Sequence, residues 1–565
     1  MLLNMESFWL VGAGGRDVVT GLGQLREVLL TQREVARAEW EYFFEPNFDQ
    51  GIHDPARLFG MDAAVERIRQ AINKEERIVV YGDYDADGVA SLAILMTALK
   101  SLGANVSPYL PHRVDDGYGL NLSVLKKLAS EMDLLITVDC GVSNVAEVDW
   151  LKKRSIDVIV TDHHNLPDDL PEALAVLHPR HPQGKYPFKY LCGAGVAWKL
   201  AAALLADKEA EISLLDLVAV GAVADMVPMV GENRVIVALG LRVLRKSSRV
   251  GMRALTAMVG AGAGDINEEA LSYRLVPLLN AAGRLEHAQP VLDLMLTDNK
   301  RQADDLVAKL QQYNRRRSVR SRQIQVEVES RLIEDKAPFV FVSDKSWEAG
   351  LVGLVAGRLS DKYAKVAVVV GGGNGHAVGS ARAPAGFNVF QLIAGQEEHL
   401  LSFGGHASAA GFSVAYDKVS MLRSLLVEAA AQIGKETKCR REAADAVVVQ
   451  DLLNWDTAEM LERFAPFGEG NRRPSLISRD LELVEWRVVG KTGEHAKFLF
   501  RNGDELLDGI GFGLARQEWL RGVKRAKLVD VLFHLDINEF KGRRTLQLQV
   551  LDIAAAGGVK IVTSK

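Results

Sequence analysis

The feature that most constrains the fold is a repeat of strand, loop and helix between about residues 77 and 230. Short apolar, β-rich runs, each followed by a loop that contains Asp or His, lie at residues 78–81, 134–138 and 158–160. Helical stretches between them lie at residues 89–102 and 145–153. This alternation is typical of an α/β fold with a doubly wound parallel sheet. Because such sheets bind ligands outside the carboxyl ends of their strands, chemistry is expected in those loops.

The remainder of the 565 residues predicts three further parts. Residues 298–335 contain no Gly or Pro and carry apolar residues at near-helical spacing, which predicts one long helix between two domains. A second α/β pattern extends to about residue 435, with strands expected at 339–342 and 366–370. Beyond residue 448, alternating segments such as 497–501 and 545–550 predict a small β-barrel.

The sequence therefore predicts an N-terminal segment, a catalytic α/β domain, a long connecting helix, a second α/β domain and a β-barrel. The predicted boundaries, in that order, are 1–60, 61–297, 298–335, 336–435 and 448–565. The aromatic residues of the first segment are expected to pack it onto the catalytic core rather than to bind bases. They are Trp9, Trp40, Tyr42, Phe43, Phe44 and Phe48.

Composition argues against several classes of protein. No run of 18 or more apolar residues occurs, and the start MLLNMESFWL lacks the features of a signal peptide, so a cytoplasmic protein without membrane attachment is expected. Cys140, Cys192 and Cys439 are far apart, which argues against a disulfide framework or a structural zinc site. The net charge of −5 neither excludes nor requires nucleic acid, because a basic groove can lie within an acidic total.

The segment 80–88, VYGDYDADG, carries the strongest chemical signal. A predicted strand runs directly into Asp83, Asp85 and Asp87. Three carboxylates at alternate positions repel one another unless a cation lies among them, and a hard divalent metal ion is the usual solution. An EF-hand calcium loop does not fit, because position twelve is Ile94 instead of Glu and a strand precedes the loop. Taken alone, the segment could also be a solvated, Asp-rich turn.

Later strand and helix ends carry the same chemistry. Asp139 follows one predicted strand, the triplet Asp162, His163 and His164 follows the next, and Asp225 ends a helical run. In a parallel sheet these groups meet at one edge, where mixed carboxylate and imidazole ligands suit two manganese or magnesium ions better than structural zinc. Singly, each residue could cap a helix or form a surface salt bridge. Jointly, they predict a two-metal site for in-line displacement at phosphorus.

Each member of this cluster has a hypothetical role. Asp139 is assigned as the carboxylate that bridges the two ions, and Asp85 as a ligand of one of them. The other ion is assigned to Asp87, His163 and Asp225. His164, next to the cluster, is a candidate for protonating the leaving group or for holding the phosphate.

These motifs resemble those of the DHH phosphoesterase superfamily. DYDAD at 83–87 is similar to its first motif, VDCG at 138–141 to its second, the triplet 162–164 to the one that names it, and Asp225 to its fourth. GGHASAAG at 404–411 resembles the signature of the companion DHHA1 domain. The resemblance implies a DHH domain, a connecting helix, a DHHA1 domain and an OB-like barrel.

Within the superfamily, three further segments resemble bacterial RecJ exonucleases: NAAGRLEHA at 280–288, LVGLVAGRL at 351–359 and SARAPAGFN at 380–388. This resemblance implies metal-dependent removal of nucleotides from the 5′ end of single-stranded DNA, in DNA repair and recombination. Pyrophosphatase-like members carry a His four residues before the first metal-binding Asp, whereas this chain has Tyr81 there. The resemblance implies that Asp83 instead supports the first metal, as a secondary ligand.

The RecJ resemblance also implies residues for the end of the substrate. Arg113, Ser380 and Arg382 are expected to receive the 5′-terminal phosphate region, and Arg284 is a further candidate. Arg binds phosphate through two parallel hydrogen bonds and a hydroxyl adds a donor. Without the resemblance, each Arg would equally fit an ordinary surface position.

Other candidate substrate contacts rest on residue type. Gly404, Gly405 and His406 suggest a close approach of backbone to a phosphate. Tyr118 is about equally a base-stacking residue or a buried core residue. Five arginines of the long helix are interpreted equally well as a solvated face or as a wall of a DNA channel: Arg315, Arg316, Arg317, Arg320 and Arg322.

A basic face on the C-terminal barrel would bind single-stranded DNA with little sequence preference and a steep dependence on salt. The basic residues of this part are Lys524, Arg525, Lys527, Lys541, Arg543 and Arg544. The family resemblance implies a single-strand binding protein as a further partner, without identifying the contact. The enzyme is expected to be a monomer.

Three other functions fit the sequence less well than a single-strand exonuclease. A related enzyme of short oligoribonucleotides, cyclic dinucleotides, pyrophosphate or polyphosphate would use the same metals but would not need the long helix or the basic tail. A non-catalytic DNA-binding scaffold would lose metal ligands, whereas every expected ligand is present. An amino-acid-editing domain would explain GGH and leave the acidic cluster unexplained.

Overall fold

The computed structural model describes residues 8–12, 17–113, 115–259, 266–332, 339–373, 375–384, 386–432, 441–516, 520–523, 526–540 and 542–563. Cys439, Lys524, Arg525 and Lys541 lie outside the described residues. Of the helices in the described ranges, none combines the length and the apolar character that a membrane crossing requires. The chain divides into two compact units, which are described separately below.

The first unit comprises Asp49–Val227 and Gly231–Lys435. It contains a sheet whose strands are all parallel, in the spatial order Val106–Tyr109, Ile78–Tyr81, Leu134–Val138, Asp157–Thr161 and Ala175–Leu177. The predicted parallel sheet is therefore confirmed. Chain order reverses between Ile78–Tyr81 and Leu134–Val138, so the carboxyl ends of these two strands flank the crevice where such sheets bind ligands.

Buried helices surround this sheet and bring their ends to the same crevice. Helix Ala86–Ser101 is apolar nearly all round, and its buried residues span the whole helix, as expected of a core helix. It packs against Gly193–Leu205 and Leu215–Ala224. The other helices of this domain are Met61–Asn73, Leu122–Leu128, Val145–Lys152, Lys208–Ser213, Gly231–Arg245, Val250–Ala257, Glu268–Ala270, Val276–Leu285 and Gln289–Leu296.

A single helix, Lys300–Leu332, connects to the second α/β domain of this unit, as the sequence predicts. That domain contains a mixed sheet in the order Ser402–His406, Ala409–Val414, Ala377–Arg382, Ala367–Gly372 and Val340–Glu348. The pair Val340–Glu348 and Ala367–Gly372 is parallel, and the other pairs are antiparallel. Its helices are Ala349–Tyr363, Val389–Ala394 and Val419–Gln432.

The second unit comprises Met1–Phe48, Pro228–Val230 and Glu436–Lys565, and it contains the β-barrel. The barrel strands follow the order Leu476–Val489, His495–Asn502, Glu505–Gly511, Arg543–Ala555 and Leu528–Phe540. The first and last of these also pair, which closes the barrel and confirms the OB-like prediction. The strand Ala446–Val448 extends the sheet, and the helices are Trp455–Glu462 and Leu520–Val523.

The N-terminal segment belongs to this second unit, so the prediction that it packs onto the catalytic core is wrong for residues up to Phe48. Its strand Phe8–Val11 pairs with Arg441–Ala444 and Lys560–Thr563. Trp9 Nε1 donates a hydrogen bond to Asp552 at 3.0 Å. Two of its other elements are the helices Leu22–Gln32 and Trp40–Phe44.

Aromatic packing explains why the segment associates with the barrel domain. The rings of Phe43 and Phe44 contact Phe464 edge-on, at centroid distances of 5.4 and 5.1 Å. Trp40 packs at the margin of the same apolar core, whereas Tyr42 is 53% exposed. The short helix Phe48–Gly51 follows at the boundary between the units. Apolar patterning predicted a buried face but not which domain covers it.

A buried ion pair anchors the helix Gly193–Leu205 in the first unit. Lys199 Nζ lies 2.8 Å from Glu232 Oε1, and both side chains have 0% exposure. Lys199 also donates to the carbonyl oxygen of His53 at 2.5 Å. Glu232 accepts further hydrogen bonds from the Tyr186 hydroxyl at 2.8 and 3.0 Å and from the His53 N–H at 2.9 Å. Burial lowers the pKa of Lys199 against the opposing effect of Glu232.

Replacing Lys199 by Met is expected to destabilise the protein by about 3–5 kcal/mol, because Glu232 would remain buried without its counter-charge. The measurement is the urea midpoint of unfolding of the full chain. The control is Lys152→Met, which removes an exposed cation paired with Glu172 and should leave the midpoint unchanged. Equal midpoints for wild type and Lys199→Met would contradict the anchoring role.

Candidate active site

The N-terminus of helix Ala86–Ser101 carries two carboxylates, Asp85 and Asp87, that backbone amides hold in place. Asp85 is the N-cap residue, and its Oδ1 accepts hydrogen bonds from two N–H groups of the first turn at 3.0 and 3.1 Å. Asp87 accepts hydrogen bonds from the N–H groups of Gly193 and Ala194, at 2.7 and 2.9 Å. Both carboxylates lie at helix N-termini, where the helix dipole favours negative charge.

Asp83, Asp139 and His163 carry polar atoms that lack partners. Asp83 and Asp139 are buried, and Asp139 adopts a left-handed backbone conformation with φ +59°. Among the described residues, the buried atoms Asp83 Oδ1, Asp139 Oδ1 and His163 Nε2 have no hydrogen-bond partner. His163 Nε2 and Asp139 Oδ1 are 3.0 Å apart without forming a hydrogen bond. Buried polar atoms without a hydrogen bond are costly unless a group such as a cation binds them.

Asp162 organises the His pair instead of adding a free carboxylate to the cluster. Its Oδ1 accepts from His164 Nδ1 at 2.8 Å and from the N–H of His163 at 2.7 Å, and its Oδ2 accepts from the N–H of Val142 at 2.9 Å. Burial alone would raise the pKa of Asp162, but the hydrogen bond from His164 outweighs it and the pKa lies below its ordinary value. Burial lowers the pKa of His164, yet the contact with Asp162 outweighs this and raises it to about 9.

A second layer of residues holds the loop that carries His163 and His164. Arg180 Nη2 donates to the carbonyl oxygens of His163 and His164 at 2.6 and 3.0 Å. His178 Nε2 lies 2.8 Å from the same His164 oxygen, while its Nδ1 accepts from the N–H of Arg180 at 2.9 Å. These contacts fix the direction of the two imidazoles, as outer partners of metal ligands commonly do.

Three sets of ligand atoms could each hold a metal ion, because their atoms lie within 4.8 Å of one another. The sets are Asp83, Asp85 and Asp139; Asp87, His163 and Asp225; and Asp139, His163 and His164. Asp139 takes part in the first and third sets, and His163 takes part in the second and third, so the three sets form one connected cluster. The structure therefore brings together every metal-ligating residue predicted from the sequence.

Two glycines leave room around these carboxylates. A Cβ atom at Gly193 would lie 2.5 Å from Asp139 Oδ1, and one at Gly221 would lie 2.3 Å from Asp87 Oδ1. Side chains at either position would displace a carboxylate, so only glycine allows the helices to approach so closely. The oxygen and imidazole donors, the unpaired atoms and this space together fit manganese or magnesium.

The electrostatics of the cluster also call for positive charge. Burial, followed by repulsion from neighbouring carboxylates, raises the pKa of Asp83 and of Asp225 to about 8 and that of Asp87 to about 6. The same two causes raise the pKa of Asp139. Burial and the charge of His164 lower the pKa of His163 to about 3, which leaves a neutral imidazole able to bind metal.

Mg²⁺ is expected to raise the unfolding temperature more at pH 8 than at pH 6. Carboxyls whose pKa is raised on folding bind protons more tightly in the folded state, so the metal-free protein loses stability as the pH rises from about 4 towards 8. A bound cation replaces those protons and competes with them less at higher pH. Calorimetry of chelator-treated protein with and without Mg²⁺ measures both shifts.

The matched variant for this measurement is Asp225→Asn, which removes one raised carboxyl and should reduce the difference between the two pH values. A shift from Mg²⁺ that is the same at pH 6 and pH 8 in the wild type would contradict the assignment of these carboxylates as ligands.

A cluster of arginines forms a second, oppositely charged part of the site. Arg284 is half-buried, and burial together with the charges of Arg113 and Arg317 lowers its pKa to about 10. Burial and the charge of Arg113 also lower the pKa of Arg382. Arg382 Nη1 donates to Ser380 Oγ at 2.8 Å. The structure thus brings the four residues predicted for a phosphate into one neighbourhood, in which the arginines act on one another electrostatically, and such neighbouring like charges favour binding of an anion.

The other predicted contacts lie beside the His loop. The Tyr118 hydroxyl is 3.0 Å from His164 Nδ1, and the side chain is 49% exposed, so the buried-core interpretation does not hold. Gly405 has φ +145°, and a Cβ atom there would lie 2.3 Å from the carbonyl oxygen of Ala409. His406 is exposed, with its Nδ1 3.5 Å from Asn165 Nδ2, so the GGH hairpin faces the His loop.

The five arginines of the long helix divide between the two interpretations. Arg316 pairs with Glu286 at 2.8 Å, and Arg320 pairs with Glu348 at 2.9 Å, so carboxylates of the protein itself neutralise these two. Arg317 joins the cluster around Arg284. Arg315 and Arg322 are exposed.

Sequence reasoning missed several residues that hold the site. Asn280 Oδ1 accepts a hydrogen bond from the N–H of Ala86 at 2.9 Å, so it braces the helix that carries Asp87. Asn280 lies in the segment NAAGRLEHA, which resembles a segment of RecJ exonucleases, but the resemblance implies no role for this residue. Arg180 and His178 follow the His triplet by about fifteen residues, and their spacing gave no signal.

Family models match three parts of the chain. The N-terminal domain of the DHH family matches residues 77–222, the DHHA1 domain matches residues 336–433, and the RecJ OB domain matches residues 444–552. Together these matches cover most of the chain and account for each of the folded domains described above.

Relatives and solved structures agree with these matches. The single-stranded-DNA-specific exonuclease RecJ of Bacillus subtilis is 37% identical over 94% of this chain and 67% of its own length. RecJ of Dickeya dadantii is 34% identical over 89% and 91%. The crystal structure of RecJ from Thermus thermophilus in complex with Mn²⁺ has a TM-score of 0.81 and 28% identity, covering 95% of this chain and 76% of that one. The chain therefore belongs to the RecJ family.

Proposed function

We propose that this chain is an exonuclease that hydrolyses the phosphodiester bonds of single-stranded DNA from the 5′ end with two divalent cations. The observation that carries the proposal is the connected cluster of ligand sets at the carboxyl edge of the parallel sheet. In it, Asp139 belongs to the set with Asp83 and Asp85 and lies 3.0 Å from His163, which belongs to the set with Asp87 and Asp225. Relatives of the same family are named single-stranded-DNA-specific exonucleases, and solved RecJ structures contain Mn²⁺ or Mg²⁺. The cations are accordingly Mn²⁺ or Mg²⁺.

The residues of the metal-binding cluster and of the His loop have different roles in the reaction. When bound, the cations supply activation of water and stabilisation of the developing charge. Asp83 and Asp85 would hold one cation, Asp87, His163 and Asp225 the other, and Asp139 both. His164, protonated at neutral pH through its contact with Asp162, is placed to donate a proton to the leaving oxygen or to hold the phosphate.

The arginine cluster supports attack at a chain end. A terminal phosphate carries up to about two negative charges near neutral pH and an internal one carries one, so four clustered arginines favour the end electrostatically. Ser380, which accepts from Arg382, can donate its hydroxyl proton to the same phosphate. Tyr118, exposed beside His164, is then a candidate for stacking on a base.

The barrel domain supplies a surface for a longer strand. Trp455 is 41% exposed, and the guanidinium of Arg544 lies over its ring at 5.7 Å. Aromatic rings beside cations bind single strands through stacking and backbone charge. The proposal also includes action in DNA repair and recombination and contact with a single-strand binding protein. It further includes a cytoplasmic location and a monomeric state.

The decisive assay measures product release from equal lengths of 5′-labelled single-stranded DNA, duplex DNA and single-stranded RNA, with Mn²⁺, Mg²⁺ or chelator. Metal-dependent loss of the 5′ nucleotide from single-stranded DNA is the expected result. Hydrolysis of only short RNA or pyrophosphate would instead favour the related small-substrate enzymes.

Asp139→Asn should lower the rate on single-stranded DNA by about 10²–10³-fold or more, the scale of removing one preorganised charge from an active site. Asn keeps the shape of the side chain and tolerates the left-handed backbone at this position. Asp149→Asn, which removes an exposed carboxylate paired with Lys153, is the control and should leave the rate unchanged. A metal-dependent Asp139→Asn enzyme of normal rate would exclude Asp139 as the shared ligand.

Arg382→Ala should abolish any preference for a 5′-phosphorylated strand over a 5′-hydroxyl strand, because the arginine cluster loses a donor pair directed at the phosphate. The measurement is kcat/KM on both substrates. Lys153→Ala, a paired surface cation, should retain the wild-type ratio. If Arg382→Ala lowers both values by the same factor, the cluster binds the strand elsewhere than at its end.

A further inference from the structure

Met226 combines three unusual features at the edge of the metal-binding cluster. It directly follows Asp225. Its side chain is 76% exposed, which is far more than most methionines in folded proteins. Its backbone adopts φ +55°, a left-handed conformation in which residues other than Gly, Asn and Asp are strained. Each feature is unfavourable or neutral for folding, so their combination needs an explanation.

The backbone conformation follows from the way the helix Leu215–Ala224 ends. The N–H of Met226 bonds to the carbonyl oxygen of Val223, and the N–H of Val227 bonds to that of Ala222, both at 3.3 Å. This pair of bonds is the Schellman motif, which requires a left-handed residue where Met226 stands. Glycine is the unstrained choice at that position. The helix end therefore directs Asp225 into the site and leaves Met226 strained beside it.

Packing does not compensate for the backbone strain at Met226, because most of its side chain is in contact with solvent. Met226 is also the only residue with a long apolar side chain among the non-glycine residues of the described ranges that have positive φ. The other such residues are Glu34, Glu75, Asp139, Ser155, Ala206, Ala364 and Asp480. The helix end requires the left-handed backbone but does not require a methionine there, and strained residues are concentrated at functional sites. A long apolar side chain that is exposed directly after the ligand Asp225 is available to contact an apolar part of the substrate.

We propose that Met226 contacts the substrate by packing its thioether against the base of a nucleotide next to the scissile phosphate. The inference rests on the proposed function, since it assumes that single-stranded DNA enters this site. A thioether is flexible and polarisable and packs favourably on aromatic rings. Every base presents an aromatic face, so the contact would orient the strand without reading its sequence.

The first test separates stability from activity. Met226→Gly removes both the strain and the side chain, so it should raise the unfolding temperature by about 1–3 °C. It should also raise KM for single-stranded DNA about 2- to 10-fold with little change in kcat, as expected for a lost contact of this kind. Met226→Leu, which keeps an apolar side chain of similar volume, should retain most of the wild-type KM.

The matched control is Ala364→Gly. Ala364 is exposed and left-handed, with φ +49°, at the end of helix Ala349–Tyr363, which carries none of the predicted site residues. The Ala364→Gly substitution should raise the unfolding temperature in the same way as Met226→Gly and leave KM unchanged. A Met226→Gly enzyme with unchanged KM, or an Ala364→Gly enzyme with the same rise in KM, would overturn the proposal.

The second test identifies the base. Wild type and Met226→Ala are compared on single strands that are intact or abasic at the first or second nucleotide from the 5′ end. Removal of the contacted base should raise the wild-type KM, whereas Met226→Ala should respond little to it, because the contact is already lost. Equal factors on intact and abasic strands would overturn the contact with a base. Wild type that fails to cleave intact single-stranded DNA would refute the proposed function itself.

Discussion

Repulsion between buried carboxylates is the constraint on which the rest of this structure depends. Asp83, Asp87 and Asp139 have raised pKa values because they are buried beside other carboxylates, and the exposed Asp225 at the edge of the cluster has a raised pKa because of desolvation and the charge of Asp87. A fold that contains such a cluster must hold it against its own tendency to separate or to take up protons. Three strongly apolar helices around the sheet serve this purpose, since two begin and one ends at the cluster.

The protein satisfies only some of the lone pairs in the cluster. Backbone N–H groups occupy positions on Asp85 and Asp87. Asp162 uses Oδ1 on the loop that carries the histidines and Oδ2 on the N–H of Val142. Asp83 Oδ1, Asp139 Oδ1 and His163 Nε2 receive no hydrogen bond from the described residues. In a preorganised cation site, amides fix the directions of the carboxylates and the atoms left without hydrogen bonds face one another. The cluster has both features.

Much of this site could be predicted from the sequence, because a parallel sheet brings the carboxyl ends of its strands to one edge. Asp85, Asp139 and His163 each follow such a strand, so their convergence needed only the fold class. The same reasoning could not find Asn280 or Arg180, whose contacts depend on how distant helices and loops pack. It also assigned the N-terminal aromatics to the wrong domain, since an apolar face does not specify its partner. Arg316 and Arg320 were ambiguous for a related reason: ion pairs with Glu286 and Glu348 are decided by tertiary structure.

The arginine cluster presents the same physical problem with the opposite sign. Arg284 and Arg382 have lowered pKa values because burial and neighbouring cations both disfavour their charge, just as burial and neighbouring anions disfavour ionised Asp83. Each cluster is relieved by a ligand that the other would repel: cations at the carboxylates and phosphate at the arginines. A metal-bound DNA strand carries both kinds of charge, so it can relieve the two clusters at once. Because the clusters are fixed within one compact unit, the terminal phosphate and the bond to be cut would be held in a constant relation. Removal of nucleotides one at a time from the end of the strand would follow from that fixed relation.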